Sequence, residues 1–285
     1  MKSPLGLEAR LPVFDLFKDA LFLLWSKRSR LVVMFLPLIL VLVVVDHFST
    51  QLQTELMAAI AVAGESSPEF EKNGQLFIFM FISALLSVLL ATTVHRFTLQ
   101  DAAHWPKNAL RIPTRYDWRY LFRSIVIGVA GAVAGTLFVM MISLFVGLFG
   151  GVEAVKGAAT ALVVPGIMLA IYVMARLSVT LPEIAIGTAG SDLQRAWRMS
   201  EGNGSRLMIV VLLLPFLVSM PFLMVGQLGT VWAGIIAAFG VYFMTLISIT
   251  VLSLSYQFLI EFYEPQDGES VTPEQNRNDD DGMDA

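Results

Sequence analysis

No cysteine occurs among the 285 residues, which excludes disulfides, thiolate catalysis and cysteine-bound zinc. Histidine is nearly as scarce: His47, His95 and His104 are the full set. The second and third stand nine positions apart and the first lies across an apolar run, so they do not assemble a metal centre, and no cofactor is expected. Charged residues make up 15% of the chain, against about 25% in soluble globular proteins. Also missing are a Gly-rich phosphate loop and the HExxH, CxxC and GxSxG patterns. Nothing therefore marks a nucleophile or a substrate, and neither enzymatic activity nor a nucleic-acid partner is expected.

Apolar sequence fills the chain instead. Hydrophobic residues make up 56% of it, and mean hydropathy is +0.72. Six runs stand out: Leu31–Val45, Leu76–Val94, Ser124–Val152, Ala158–Ala175, Leu207–Gly226 and Val231–Leu259. From Leu207 to Ile260 the chain passes 54 residues without Asp, Glu, Lys, Arg or His. A membrane-spanning helix needs about 20 residues, so that stretch predicts two helices with a hairpin at Gln227–Thr230. The first run, short at 15 residues, is expected to extend through Asp46–Thr50. The expected fold class is an all-α membrane protein of six transmembrane helices, in a domain over residues 1–263. Residues 264–285, with eight acids against Arg277, read as a disordered acidic tail. No cleavable signal peptide is expected, because Asp15, Lys18 and Asp19 interrupt the first apolar stretch.

The basic residues alternate in a definite way. The segments before runs 1, 3 and 5, and after run 6, hold 6, 6, 4 and 1 of the 19 lysines and arginines. Only Lys72 and Lys156 lie in the intervening hairpins. By the positive-inside rule, the loops 95–123 and 176–206 and both termini are expected on the inner, cytoplasmic side of the membrane. Outer-end Asp46 and His47 are expected to face water, and no charge is expected deep in a span.

Ahead of each odd-numbered span, aromatic and basic residues mix: Val13–Ser26, Tyr116–Arg123, and a segment opening at Ser191 as N-cap with Gly202 as its stop. Each reads as an amphipathic helix at the cytoplasmic interface, where Trp and Tyr sit at headgroup depth and Arg meets phosphate. In the third, Arg195 and Arg198 are expected to point toward the headgroups. Ser29-Arg30-Leu31 leading to Pro37, and Ser205-Arg206-Leu207 leading to Pro215, hint at a repeated unit.

Ionisable and polar residues collect at this same level and form the candidate site: His95, Arg96, Asp101, Arg176, Glu183, Trp197, Arg198, Asn203 and Arg206. Two readings attach to them. They are snorkelling anchors and ion pairs that fasten the fold, or they bind an anionic lipid headgroup or a membrane-protein partner. Pro165-Gly166 in span 4 and Pro215 and Pro221 in span 5 support an alternative function, a transporter or flippase with a site framed by broken helices. Gly131 and Gly135 form a GxxxG in span 3 that suits close packing within the bundle or a seam with a second copy.

His95-Arg96-Phe97-x-Leu99-x-Asp101, Ala175-Arg176-Leu177-Ser178-x-x-Leu181-Pro182-Glu183 and Ala196-Trp197-Arg198-Met199-Ser200-Glu201-Gly202-Asn203 resemble the signatures of a family of uncharacterised bacterial six-helix inner-membrane proteins, the YciC-like family. They are also similar to the membrane domain of membrane-anchored glycerophosphodiester phosphodiesterases. The resemblance implies six spans with interfacial helices and supplies no activity. The chain has no soluble phosphodiesterase domain, and Asp101 and Ser200 stand where the family more often has glutamate and threonine.

Overall fold

The structure is a computed structural model that describes residues 10–63, 70–188 and 192–263. Among them the regular structure is helical throughout. The chain runs α1 (Val13–Ser26), α2 (Arg28–Ala63), α3 (Phe70–Leu99), α4 (Arg115–Ser178), α5 (Leu181–Ile186), α6 (Leu193–Met199), α7 (Gly204–Leu207), α8 (Leu214–Gly226) and α9 (Val231–Tyr263). Six segments are long and apolar enough to cross a membrane: Arg28–Ala61, Asn73–Leu99, Arg115–Gly151, Ala161–Ile186, Gly204–Gly226 and Val231–Phe262, spans 1 to 6. Large apolar side chains face outward along them, with Phe149 79% and Leu148 72% exposed. Water would penalise that surface and lipid would not, so this is a multi-pass membrane protein.

The spans outrun the charge-free stretches. Span 1 continues past the expected extension Asp46–Thr50 to Ala61. Span 3 and most of span 4 lie in one element, α4, broken where Gly151 takes φ 73 and ψ −177; α5 completes span 4. That backbone suits only glycine. Spans 5 and 6 meet at the expected hairpin, where the Thr230 hydroxyl accepts the Ala233 N–H and caps α9.

Close packing and proline explain the bundle's irregularities. A Cβ on Gly135 would sit 2.6 Å from the Gly166 carbonyl, and one on Gly131 2.9 Å from that of Ala170. The GxxxG stripe is therefore a seam between spans 3 and 4, inside one chain, and Gly166 belongs to it. One turn before Pro37 in span 1, the Met34 carbonyl accepts the Ala109 N–H at 3.0 Å, which ties the loop after span 2 to span 1 beside the proline.

The three segments preceding the odd spans take three different forms, so the suggested repeat has no common structure. Val13–Ser26 is a separate helix that buries Leu16, Ala20 and Leu24. Tyr116–Arg123 is no separate helix, because α4 runs unbroken from Arg115 into span 3 and buries Asp117, Tyr120 and Leu121. In the third, Asp192 rather than Ser191 caps α6, accepting the Gln194 N–H. Ser191 lies outside the described residues, as does the acidic tail 264–285. α6 ends at Met199, before Gly202, which turns the chain at φ 76.

The tightest packing lies toward the end where Arg28, Leu99, Arg115 and Gly204 stand, called here the basic end. One cluster joins Leu16, Phe35, Phe97 and Leu259, and a second joins Tyr120, Leu181 and Ala196.

Candidate functional site

Four small polar assemblies occupy the basic end, each joining a different set of elements. The first surrounds Asp117, fully buried one turn into α4. Arg111 meets its carboxylate with both terminal nitrogens, at 2.6 and 2.7 Å. The Thr92 hydroxyl of span 2 donates to it at 2.6 Å, and the Thr114 N–H and hydroxyl donate at 2.7 Å. A carboxylate with this many donors can stay ionised out of water. Sequence reasoning missed this centre, although Thr114-x-x-Asp117 before an apolar run is a legible helix-start signal.

The second holds His95, fully buried among spans 2, 3 and 6 rather than on the rim where it was expected. The Ser253 hydroxyl donates to the Ile249 carbonyl at 3.0 Å, so it receives the His95 Nδ1–H at 2.7 Å. That leaves Nε2 to accept from the Tyr120 hydroxyl at 3.1 Å. With both ring nitrogens paired inside the bundle, His95 fixes the relative rotation of three spans and is not poised to bind a ligand.

In the third assembly, Arg176 stacks on the Trp197 ring, 3.6 Å from its centroid. Its Nε donates to the Ser200 hydroxyl at 2.9 Å and a terminal nitrogen donates to the Trp197 carbonyl. Glu183, 1% exposed, pairs with Arg195 from α6, so Arg195 turns inward to the bundle. Arg96 donates to the Ala185 carbonyl of α5 at 2.8 Å. Span 2, α5, α6 and the end of span 4 are stitched together by these contacts.

The fourth fastens α1. Asn203, 1% exposed, accepts the Leu11 N–H on Oδ1 at 2.8 Å, and Arg206 donates to the Leu11 carbonyl at 2.9 Å. The Tyr172 ring lies so close to Gly204 that a Cβ there would meet it at 2.7 Å.

Of the nine candidates, Arg176 and Trp197 share one assembly, with Arg96 and Glu183 alongside, and Asn203 and Arg206 share another. His95 stands apart in the core. Asp101 is exposed at the turn Ala102–His104 and gives that turn no side-chain cap. Arg198 is exposed on α6. Asp46 does more than face water: its carboxylate accepts from Ser83 of span 2 at 2.8 Å and from Tyr242 of span 6, joining three spans. Among the described residues no three of His, Asp and Glu converge on a metal-sized site.

Chemically, the arrangement separates charge neutralisation from hydrogen bonding. Arg111 and Arg195 face carboxylates. Arg96, Arg176 and Arg206 donate to carbonyl and hydroxyl oxygens, which satisfy their geometry without cancelling their charge. No family model, curated protein or solved structure matches the chain.

Proposed function

We propose that this is a YciC-like protein of a bacterial cytoplasmic membrane whose basic end faces the cytoplasm and engages anionic lipid headgroups, its six spans serving as a rigid frame. The observation that carries the reading is that Arg96, Arg176 and Arg206 donate to neutral oxygens, so the basic end keeps its positive charge at headgroup level. Exposed Arg115, Arg119 and Arg198 add to it. Trp25, Trp118 and Trp197, at least 39% exposed, supply the amphipathic rings that suit an interface. A juxtamembrane cation contributes about 1 kcal/mol toward an anionic surface, so the effect is collective rather than a single contact.

The test compares phosphatidylglycerol with phosphatidylcholine in lipid retention by the purified protein, followed by native mass spectrometry. Wild type retains phosphatidylglycerol preferentially, and the triple variant R115Q/R119Q/R198Q loses part of that preference without losing its fold. Equal retention of the two lipids by wild type overturns the reading. The competing reading, transport framed by spans 4 and 5, draws support from the π-helical turn Met208–Leu213 just before Pro215, since such turns recur at functional sites. It is distinguished by lipid scrambling or solute flux in proteoliposomes, which a headgroup-binding frame does not produce.

A further inference from the structure

Each buried or half-buried arginine described above has an oxygen acceptor, but the half-buried Lys27 and the exposed Arg30 face aromatic carbon instead. The Lys27 ammonium, where α1 passes into α2, stands 4.7 Å from the Trp105 ring centroid and 5.9 Å from that of Phe97. The Arg30 guanidinium stands 5.6 Å from the same indole. Trp105 is held from behind: its Nε1–H donates to the Gln100 carbonyl at 2.9 Å, and its ring leans on buried Phe97 at 4.7 Å. Beside it open two adjoining cavities of 500 and 340 Å³, with Arg30, Ser29 and Trp105 in the walls of both. Lys107 enters the first and Ser26 and Lys27 the second. Among the described residues, no carboxylate lies within ion-pair distance of Lys27, Arg30 or Lys107.

We propose that this cleft is a binding site for the phosphate of an anionic phospholipid. Lys27 and Arg30 from the α1–α2 junction and Lys107 from the loop after span 2 line the two adjoining cavities without a counter-ion, and an entering anion would relieve their mutual repulsion. A phosphate brings acceptor oxygens for the two ammonium groups, the guanidinium fork and the Ser29 hydroxyl. The indole, already fixed, limits the ordering cost of binding. The same chemistry would hold free inorganic phosphate. The lipid is favoured by what adjoins the cleft: Val33 lies in its wall, 71% exposed, and exposed Leu36 and Leu40 continue the same helix into the spans. A bound headgroup would therefore have its acyl chains on an apolar surface. This site rests on the headgroup reading above and gives it a single address.

The experiment uses the full-length protein in detergent micelles with dioctanoyl phosphatidylglycerol, dioctanoyl phosphatidylcholine and inorganic phosphate as probes, read by native mass spectrometry and Trp fluorescence. Wild type is expected to take up one phosphatidylglycerol tightly, with phosphatidylcholine and inorganic phosphate at least tenfold weaker. K27Q/R30Q should weaken that lipid at least tenfold, K107Q less, and K27R should retain binding. K107Q changes an exposed loop residue and K27R keeps the charge, so the series remains decisive if the double variant unfolds. Unchanged phosphatidylglycerol binding in K27Q/R30Q and K107Q overturns the cleft. In that case, loss in R115Q/R119Q/R198Q keeps the broader headgroup reading, and the absence of any anionic preference in wild type removes both. Inorganic phosphate binding as tightly as the lipid would overturn the lipid assignment.

Discussion

The Ser248 hydroxyl on span 6 donates to the carbonyl of Val211 on span 5. Four residues after Val211 comes Pro215, which has no N–H to return to that carbonyl and crowds it as well. The helix passes through a π turn over Met208–Leu213 at this point. A backbone group left unpaired in hydrocarbon costs several kcal/mol, so a serine on the neighbouring span answers the proline.

Ser248→Ala is expected to destabilise the protein by about 1–3 kcal/mol, the usual cost of orphaning a buried acceptor. In a Pro215→Ala background the same change should cost less, because an alanine at that position restores the missing N–H. Reversible unfolding in mixed micelles, arranged as a double-mutant cycle, measures both numbers. Equal costs in the two backgrounds would show that the hydroxyl does not serve the proline.

Asp117 gathers two Arg111 nitrogens, a Thr92 hydroxyl and the Thr114 backbone on one carboxylate. Asp117→Ala removes the acceptor and leaves a half-buried guanidinium uncompensated, a loss of about 3–5 kcal/mol by analogy with broken buried ion pairs. Arg111→Ala in addition should cost little more, since the two residues act as a unit. A loss below about 1 kcal/mol in the single variant would mean the pair behaves as an exposed one.

The architecture was legible because long charge-free segments are stable in few settings besides a bilayer: six runs became six spans, and Gln227–Thr230 became a hairpin. Side-chain partners were harder to read. Hydropathy treats His95 as a break in an apolar run, but its partners Ser253 and Tyr120 lie 158 and 25 positions away. Nothing local reveals them. Tyr116–Arg123 looked like a surface helix because its arginines alternate with aromatics, yet Asp117 makes its inner face polar and lets it continue into span 3. Arg195 and Arg198 looked alike on α6 until packing gave Glu183 to one of them. Lys27 and Arg30 read as topology markers, and only the fold brought Trp105 beneath them.

Leu11 is held through both of its backbone polar groups, by Asn203 on the N–H and by Arg206 on the carbonyl. These two bonds anchor the start of α1, and Leu11 itself is fully buried. In Asn203→Ala, the Leu11 amide should exchange with deuterium at least tenfold faster, corresponding to about 1.4 kcal/mol of lost protection. Amides through Val13–Ser26 should follow if the helix loosens as one body. Mass-spectrometric exchange on peptides covering residues 10–26 reads this directly. Unchanged protection would mean that the apolar packing of Leu16, Ala20 and Leu24 holds α1 without the clamp.

Orientation can be tested cleanly because the chain has no cysteine of its own. Ile60 lies 32 residues beyond Arg28 on one helix, about 48 Å at 1.5 Å per residue, while the hydrocarbon core is about 30 Å thick. If Arg28 sits at the inner interface, Ile60 reaches water on the far side even when the helix tilts. Leu110 lies between spans 2 and 3, in the loop anchored to Met34 through Ala109. Both side chains are 42% exposed, so a failure to label reflects the membrane rather than burial. Ile60→Cys is expected to react with a membrane-impermeant maleimide on spheroplasts, and Leu110→Cys only after permeabilisation. The reverse pattern would turn the basic end outward, against 17 of 19 lysines and arginines, and would remove the cytoplasmic headgroups from reach of Lys27 and Arg30.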